Sequence, residues 1–384
     1  MAPKPIDYIN YVWIIIIFIV AAYLYQRYNA KQFNNTTEQE NYSTLQKYLL
    51  NDGTTLDNSK DERPILWIPL HYEYNSRNWQ SFGSRSSFDL NQPYLYLTVK
   101  SIINQCSDSF RICLIDDDSF SKLLPNWKIN MGGISSPVLD YMRQLGLTSL
   151  LNHYGGLLVP ASFLCFRDLI DMYNTGTNNN KICICETIDR NITSTSYNWY
   201  PNLYFMGAQK GAPVLRELMD FMQRTISNDY TAQAEFLGDF NRWIQYRVKK
   251  HQVTIIDGKM IGTRTMEDEP IIVDDLLSNN YLDIYASAYG IYIPADEILK
   301  RTKYEWFARL SQRQVLESKV IICKYILLAN TPNVPKGVIE PFKEKPKKHP
   351  WVSFWRMPLG APLWGLKPNV SPNFVVQESY PGKL

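Results

Sequence analysis

The chain has 384 residues, is 45% hydrophobic and 20% charged, and carries 40 Lys and Arg against 37 Asp and Glu. That composition excludes wholesale disorder, collagen and a coiled coil. A formal net charge of +3 excludes the chain-wide positive field that recruits nucleic acid, so no nucleic-acid partner is expected.

The first predicted element is apolar. Tyr11 to Tyr25 reads YVWIIIIFIVAAYLY, and residues 8–25 hold no charge. That is long enough to cross a thin bilayer, with Tyr8, Tyr11 and Trp13 near one end and Tyr23, Tyr25 and Tyr28 near the other, as in aromatic belts. The bulky run and the lack of a small-x-small site argue against a cleaved signal peptide. Residues 1–30 are therefore expected to be a single-pass membrane anchor. Residues 31–62, rich in Asn, Thr, Gln and Glu, read as a stalk; glycosylation sequons begin at Asn34, Asn35, Asn41 and Asn191.

Residues 63–330 form the folded body. Strands are predicted over Pro64–Leu70, Phe110–Ile115, Leu157–Phe166, Lys181–Cys185 and Leu203–Gly207, and helices over Tyr94–Asn104, Pro137–Asn152, Arg167–Tyr173, Pro213–Ile226 and Ala232–Lys249. Strand alternating with helix is the pattern of an open α/β sheet, whose ligand crevice lies beyond the strand carboxyl ends. Two acidic groups follow apolar runs: Asp116, Asp117 and Asp118, and the pair Asp274 and Asp275. They read as crevice carboxylates or as helix caps, with Asp118–Ser119 the expected cap. His71 and His153 also fall near predicted strand ends. The six cysteines lie mostly in apolar runs and lack metal-ligand spacing, so they are expected to be reduced and buried. The stretch from Gly290 to Leu327 is expected to be a helical cap on the sheet.

The segments LIDDDSFSKLLPNW and LLNHYGGLLVPASFLCFRDL resemble the core of the DxD, capsular-polysaccharide-synthesis type of sugar-nucleotide glycosyltransferases, over roughly Arg63 to Leu215. In that family a helix of pattern D-x-x-R-x-x-x-L runs into YGG, and the next strand ends in a carboxylate motif that holds a divalent metal against the leaving diphosphate. The resemblance implies an open twisted sheet of glycosyltransferase (Rossmann-like) type and places Tyr154, Gly155 and Gly156 at the sugar-nucleotide crevice. Pro160 and Ser162 stand where the metal-binding carboxylates belong. Gln144 and Leu147 stand where the helix Asp and Arg belong, with Asp140 and Arg143 about one turn away. The implied form is a degenerate enzyme without cofactor or metal. If transfer is retained, Asp116, Asp117 and Asp118 are the candidate catalytic residues and Mn or Mg the cofactor. Similar chains occur in large DNA viruses.

Residues 331–384 carry ten of the 22 prolines and a cluster of lysines. Density of this kind forbids helix and central strand and favours an extended arm. Trp351, Phe354, Trp355 and Trp364 need something to bury against, which marks the arm as a docking device for protein partners. The expectation is a single-pass membrane protein of a virion or the endomembrane system, scaffolding an assembly; the alternative is an active membrane glycosyltransferase.

Overall fold

The computed structural model describes residues 18–23, 25, 62–70, 92–125, 127–134, 138–189, 198–228, 233–301 and 303–331. Most of the expected anchor and stalk, His71, and the arm with Trp351, Phe354, Trp355 and Trp364 lie outside the described residues. The chain divides into compact units at residues 1–49 and 50–384. In the first, residues 18–23 and 25 are helical, and Phe18, Ile19, Val20 and Tyr23 are exposed. Among the described residues no helix is long and apolar enough to cross a membrane.

The second unit is mixed α/β. Its main sheet has the order β2–β1–β3–β6–β5–β7, formed by β1 (Ile65–Pro69), β2 (Arg111–Ile115), β3 (Gly156–Leu158), β5 (Ile182–Asp189), β6 (Asn198–Ala208) and β7 (Val253–Ile256). Only β6 runs against its neighbours, so the sheet is mostly parallel. β4 (Phe163–Cys165) and β8 (Gly290–Tyr292) make a separate antiparallel pair.

Helix α1 (Tyr94–Cys106) connects β1 to β2, α2 (Ser119–Leu123) follows β2, and α3 (Val138–Tyr154) leads into β3 on the other side of β1. One face of the main sheet buries Trp67, Cys113, Leu158, Ile184 and Met206 against α3, α5 (Pro213–Asn228) and α6 (Gln233–Lys249). Alternation sends Trp67 to this face and its neighbours Leu66 and Ile68 to the other. Full burial of an aromatic or aliphatic side chain is worth about 2–3 kcal/mol each, so these positions dominate the choice of register. The opposite face carries α1 and α4 (Ile170–Gly176), where Gly176 lets the helix close on Cys183. A second core joins Tyr94, Leu97, Leu164, Ile291, Phe307 and Ile322 around the small sheet.

Two stretches of the chain take other secondary structure than the sequence predicts. The run Leu157–Phe166 was expected to be one strand, but it is β3 and β4 in different sheets. Pro160 has no N–H to give a ladder, and its carbonyl accepts from Phe163 N at 3.0 Å to close the turn between them. The stretch from Gly290 was expected to be wholly helical, yet it begins with β8, because Phe163–Cys165 offers an unpaired edge. The helices after it, from α7 (Ala295–Lys300) onward, do form the cap.

Candidate functional site

The chain goes from β1 to β2 on one side and later to β3 on the other, so connectivity reverses at β1. In open α/β sheets ligands bind beyond the carboxyl ends of the strands at such a point. That edge is formed by Leu70 after β1, Asp116 to Asp118 after β2, and Val159 to Ser162 after β3. Helix α3 starts at the same edge, which brings Asp140, Arg143 and Gln144 of its first two turns against the end of β2.

The three aspartates divide their tasks. Asp116 Oδ1 accepts from Ser119 N at 2.9 Å and from Ser119 Oγ at 2.6 Å, so it caps α2. The cap expected at Asp118 is made instead by Asp116; Asp118 makes no side-chain cap bond and is exposed. Asp117 receives both arms of one guanidinium: Arg143 Nε donates to Oδ1 at 2.9 Å and Nη2 to Oδ2 at 2.7 Å. Arg143 also donates to Asp140 Oδ1 at 3.3 Å. The Arg143 side chain is 8% exposed and that of Asp117 28%. Burial pulls the guanidinium pKa down, but the bonds and charges of Asp117 and Asp140 outweigh it and the net shift is upward.

Tyrosines complete this edge. The β5–β6 pairing slips between Ile184 and Cys185, whose partners are Met206 and Asn202, so Leu203, Tyr204 and Phe205 bulge from β6. Asn202 Oδ1 accepts from Tyr204 N at 2.9 Å and holds the bulge, and Tyr204 OH donates to the Asp140 carbonyl at 3.4 Å. Burial, then the Asp140 charge, pushes the Tyr204 phenol up; a bond with Gln144 opposes them. Burial, then Tyr200 and Asp296, pushes the Tyr292 phenol up, with Asn202 opposing. These phenols stay neutral donors. The result is a cluster of polar side chains with one guanidinium already committed to carboxylates.

A divalent metal does not fit this donor set. Hard cations take about six oxygen ligands, several of them carboxylate. Here Asp116 is spent on a cap, and Asp117 on Arg143, which also reaches Asp140; Asp118 is exposed and, among the described residues, is not grouped with two further carboxylates. Pro160 offers no donor side chain, while Ser162 is buried with its carbonyl bonded by Ile293 N at 3.3 Å. Among the described residues no three His, Cys, Asp or Glu side chains are grouped to hold a metal.

Tyr154, Gly155 and Gly156 lie at the amino end of β3, not at the carboxyl edge. They line a groove of about 480 Å³ with Arg63, Arg111, Asn174 and Lys210. Strand β1, at about 3.3 Å per residue, puts roughly 15 Å between this groove and Asp116–Asp118, so the two sets of candidate residues do not converge. The glycines answer a backbone demand. Gly155 and Gly156 have φ of 74° and 110°, and a Cβ on Gly156 would sit 2.1 Å from the Ile65 carbonyl oxygen. Tyr154 OH donates to the Leu123 carbonyl at 2.7 Å, and the His153 ring meets the Tyr154 ring edge-on at 4.6 Å. Asp275 Oδ2 accepts from Ile272 N at 3.0 Å and Asp274 Oδ2 from Tyr304 OH at 2.8 Å, so both serve local structure.

No family model and no curated protein matches the sequence. Among solved structures, the apo form of the glycosyltransferase GlyE of Streptococcus pneumoniae TIGR4 aligns with a TM-score of 0.29 and 12% identity, over 52% of this chain and 46% of that one. The chain thus spans less than half of that protein's length.

Sequence reading missed Tyr200, Asn202, Tyr204, Tyr292 and Asp296. The spacing of Asp140 and Arg143 on one helix face was visible, but the bulge that aims Tyr204 leaves no local signal.

Proposed function

We propose that this chain is a membrane-anchored, glycosyltransferase-like protein that has lost metal-dependent sugar transfer and serves as a structural component of a membrane-associated assembly, with a virion capsid–membrane layer as the setting its resemblance implies. The observation that carries the loss of transfer is the bidentate Asp117–Arg143 pair. A carboxylate neutralised in this way is not available to a cation, and Pro160 and Ser162 supply no substitute. The separation of Tyr154–Gly156 from Asp116–Asp118 supports the same reading. Membrane attachment rests on residues 8–25. Partner docking rests on Trp351, Phe354, Trp355 and Trp364.

The test is the thermal midpoint of the full-length chain in detergent with UDP- and GDP-sugars, with and without manganese, alongside donor hydrolysis. No metal-dependent shift and no hydrolysis is the expected result. A manganese-dependent shift or turnover that disappears when Asp116, Asp117 and Asp118 become Asn establishes the alternative, an active enzyme. That alternative draws on one observation: Asp118 is exposed and the Asp140 side chain 41% exposed at the same edge. For the arm, Trp355→Ala with Trp364→Ala should shrink the detergent-released complex on size exclusion while sparing folding; an unchanged complex removes the arm from the proposal.

A further inference from the structure

Cys106 and Cys165 sit 59 residues apart in sequence, yet their Sγ atoms are 3.9 Å apart, with both side chains fully buried. That is close to van der Waals contact, and the two sulfurs must approach by about 2 Å to reach the roughly 2.05 Å of a bond. The backbones on either side are already latched. Thr98 Oγ1 of α1 donates to the Ala161 carbonyl at 2.6 Å, and Ser101 Oγ accepts from Cys165 N at 2.9 Å. These bonds hold α1 in register with β4 and with the turn that carries Pro160 and Ser162.

We propose that Cys106 and Cys165 are a latent dithiol that closes to a disulfide, stapling the end of α1 to the end of β4 near the amino end of β2. The two thiols differ in access. Cys106 is the last residue of α1, followed by the part-exposed turn Ser107–Asp108–Ser109, whereas Cys165 ends a buried strand. Helix ends open locally at little cost, so Cys106 is the thiol that reacts first. Burial raises the Cys165 pKa, and its Sγ donates to the Arg167 carbonyl at 3.1 Å, which keeps the closed dithiol quiet until that opening.

The co-reactant is a low-molecular-weight disulfide such as oxidised glutathione. After Cys106 loses its proton to solvent, its thiolate attacks one sulfur of that disulfide. The old S–S bond breaks, one glutathione leaves as thiolate and takes up a proton, and a mixed disulfide remains on Cys106. Cys165, deprotonated in turn, attacks Cys106 Sγ and expels the second glutathione. Two protein thiols are oxidised by two electrons and one glutathione disulfide is reduced to two thiols.

The experiment equilibrates the full-length chain in detergent with graded ratios of oxidised to reduced glutathione. Samples are quenched in acid, blocked with N-ethylmaleimide under denaturing conditions, and mapped as non-reduced peptides. The expected product is a cross-linked pair of peptides containing Cys106 and Cys165, 2 Da lighter than their sum, that appears cooperatively with the glutathione ratio. The oxidised chain should also melt a few degrees higher than the reduced one, because a cross-link of this span constrains the unfolded chain. Cys106→Ala and Cys165→Ala should each abolish the product. The wild-type map decides the matter even if a variant fails to fold: complete maleimide labelling of both residues at every ratio, or pairing of either with another cysteine, overturns the proposal.

Discussion

Trp67 Nε1 donates to the Gly155 carbonyl at 2.9 Å, tying the middle of the first strand to the glycine turn 88 residues later. The bond is buried, and the Trp67 ring also lies 5.7 Å from that of Tyr154. The YGG segment is thus anchored into the main core, and its glycines make the close approach of β3 to β1 possible.

Gly156→Ala should therefore destabilise the fold by at least about 2 kcal/mol, since φ of 110° suits no side chain and the added Cβ meets the Ile65 carbonyl. Chemical denaturation measures it. A change below about 0.5 kcal/mol would show that the turn is not under this constraint.

Removing Arg143 leaves Asp117 without its buried partner. Arg143→Ala should cost about 2 kcal/mol, discounted from the cost of breaking a fully buried pair because the Asp117 side chain is 28% exposed. Arg143→Lys should recover only part of it, because an ammonium cannot make both bonds. A double-mutant cycle with Asp117→Asn separates the pair from packing.

Asp116 and Ser119 make a helix cap. Ser119→Ala keeps the backbone bond to Asp116 but loses both bonds of its hydroxyl, at an expected cost of about 1 kcal/mol, whereas Asp116→Asn, which keeps an acceptor, should be nearly neutral to stability. Thermal melting of both variants checks the order; a larger loss in Asp116→Asn would mean that its charge has another use.

Burial raises the Tyr173 phenol to about 12, with Cys183 adding to the shift and bonds to Gly156 and Thr177 opposing it. Its folded pKa lies above the unfolded value of 10.0, so the associated stability is complete below pH 10 and is lost as pH rises through about 12. The contribution is on the order of 2 kcal/mol. Stability measured across this window should fall less steeply in Tyr173→Phe than in the wild type, and an identical slope would dismiss the linkage.

Periodicity in the sequence places β1, α1, β2, α3, β5, α5 and α6 close to where they stand, because each buries an apolar face whose repeat is local, whereas β6 begins at Asn198, ahead of the expected Leu203. The sequence also announced Asp116–Asp118 after β2 and the glycines before β3. What those residues do depends on contacts that form once the chain has folded. Strand direction sends Tyr154–Gly156 to one edge of the sheet and Asp116–Asp118 to the other. The fold of α3 onto β2 gives Asp117 to Arg143, a three-residue bulge aims Tyr204 at Asp140, and the packing of α1 on β4 brings Cys106 to Cys165. Hydrophobic period is written in neighbouring residues, whereas the partner of a charge or a thiol depends on segments that meet only after the chain has folded.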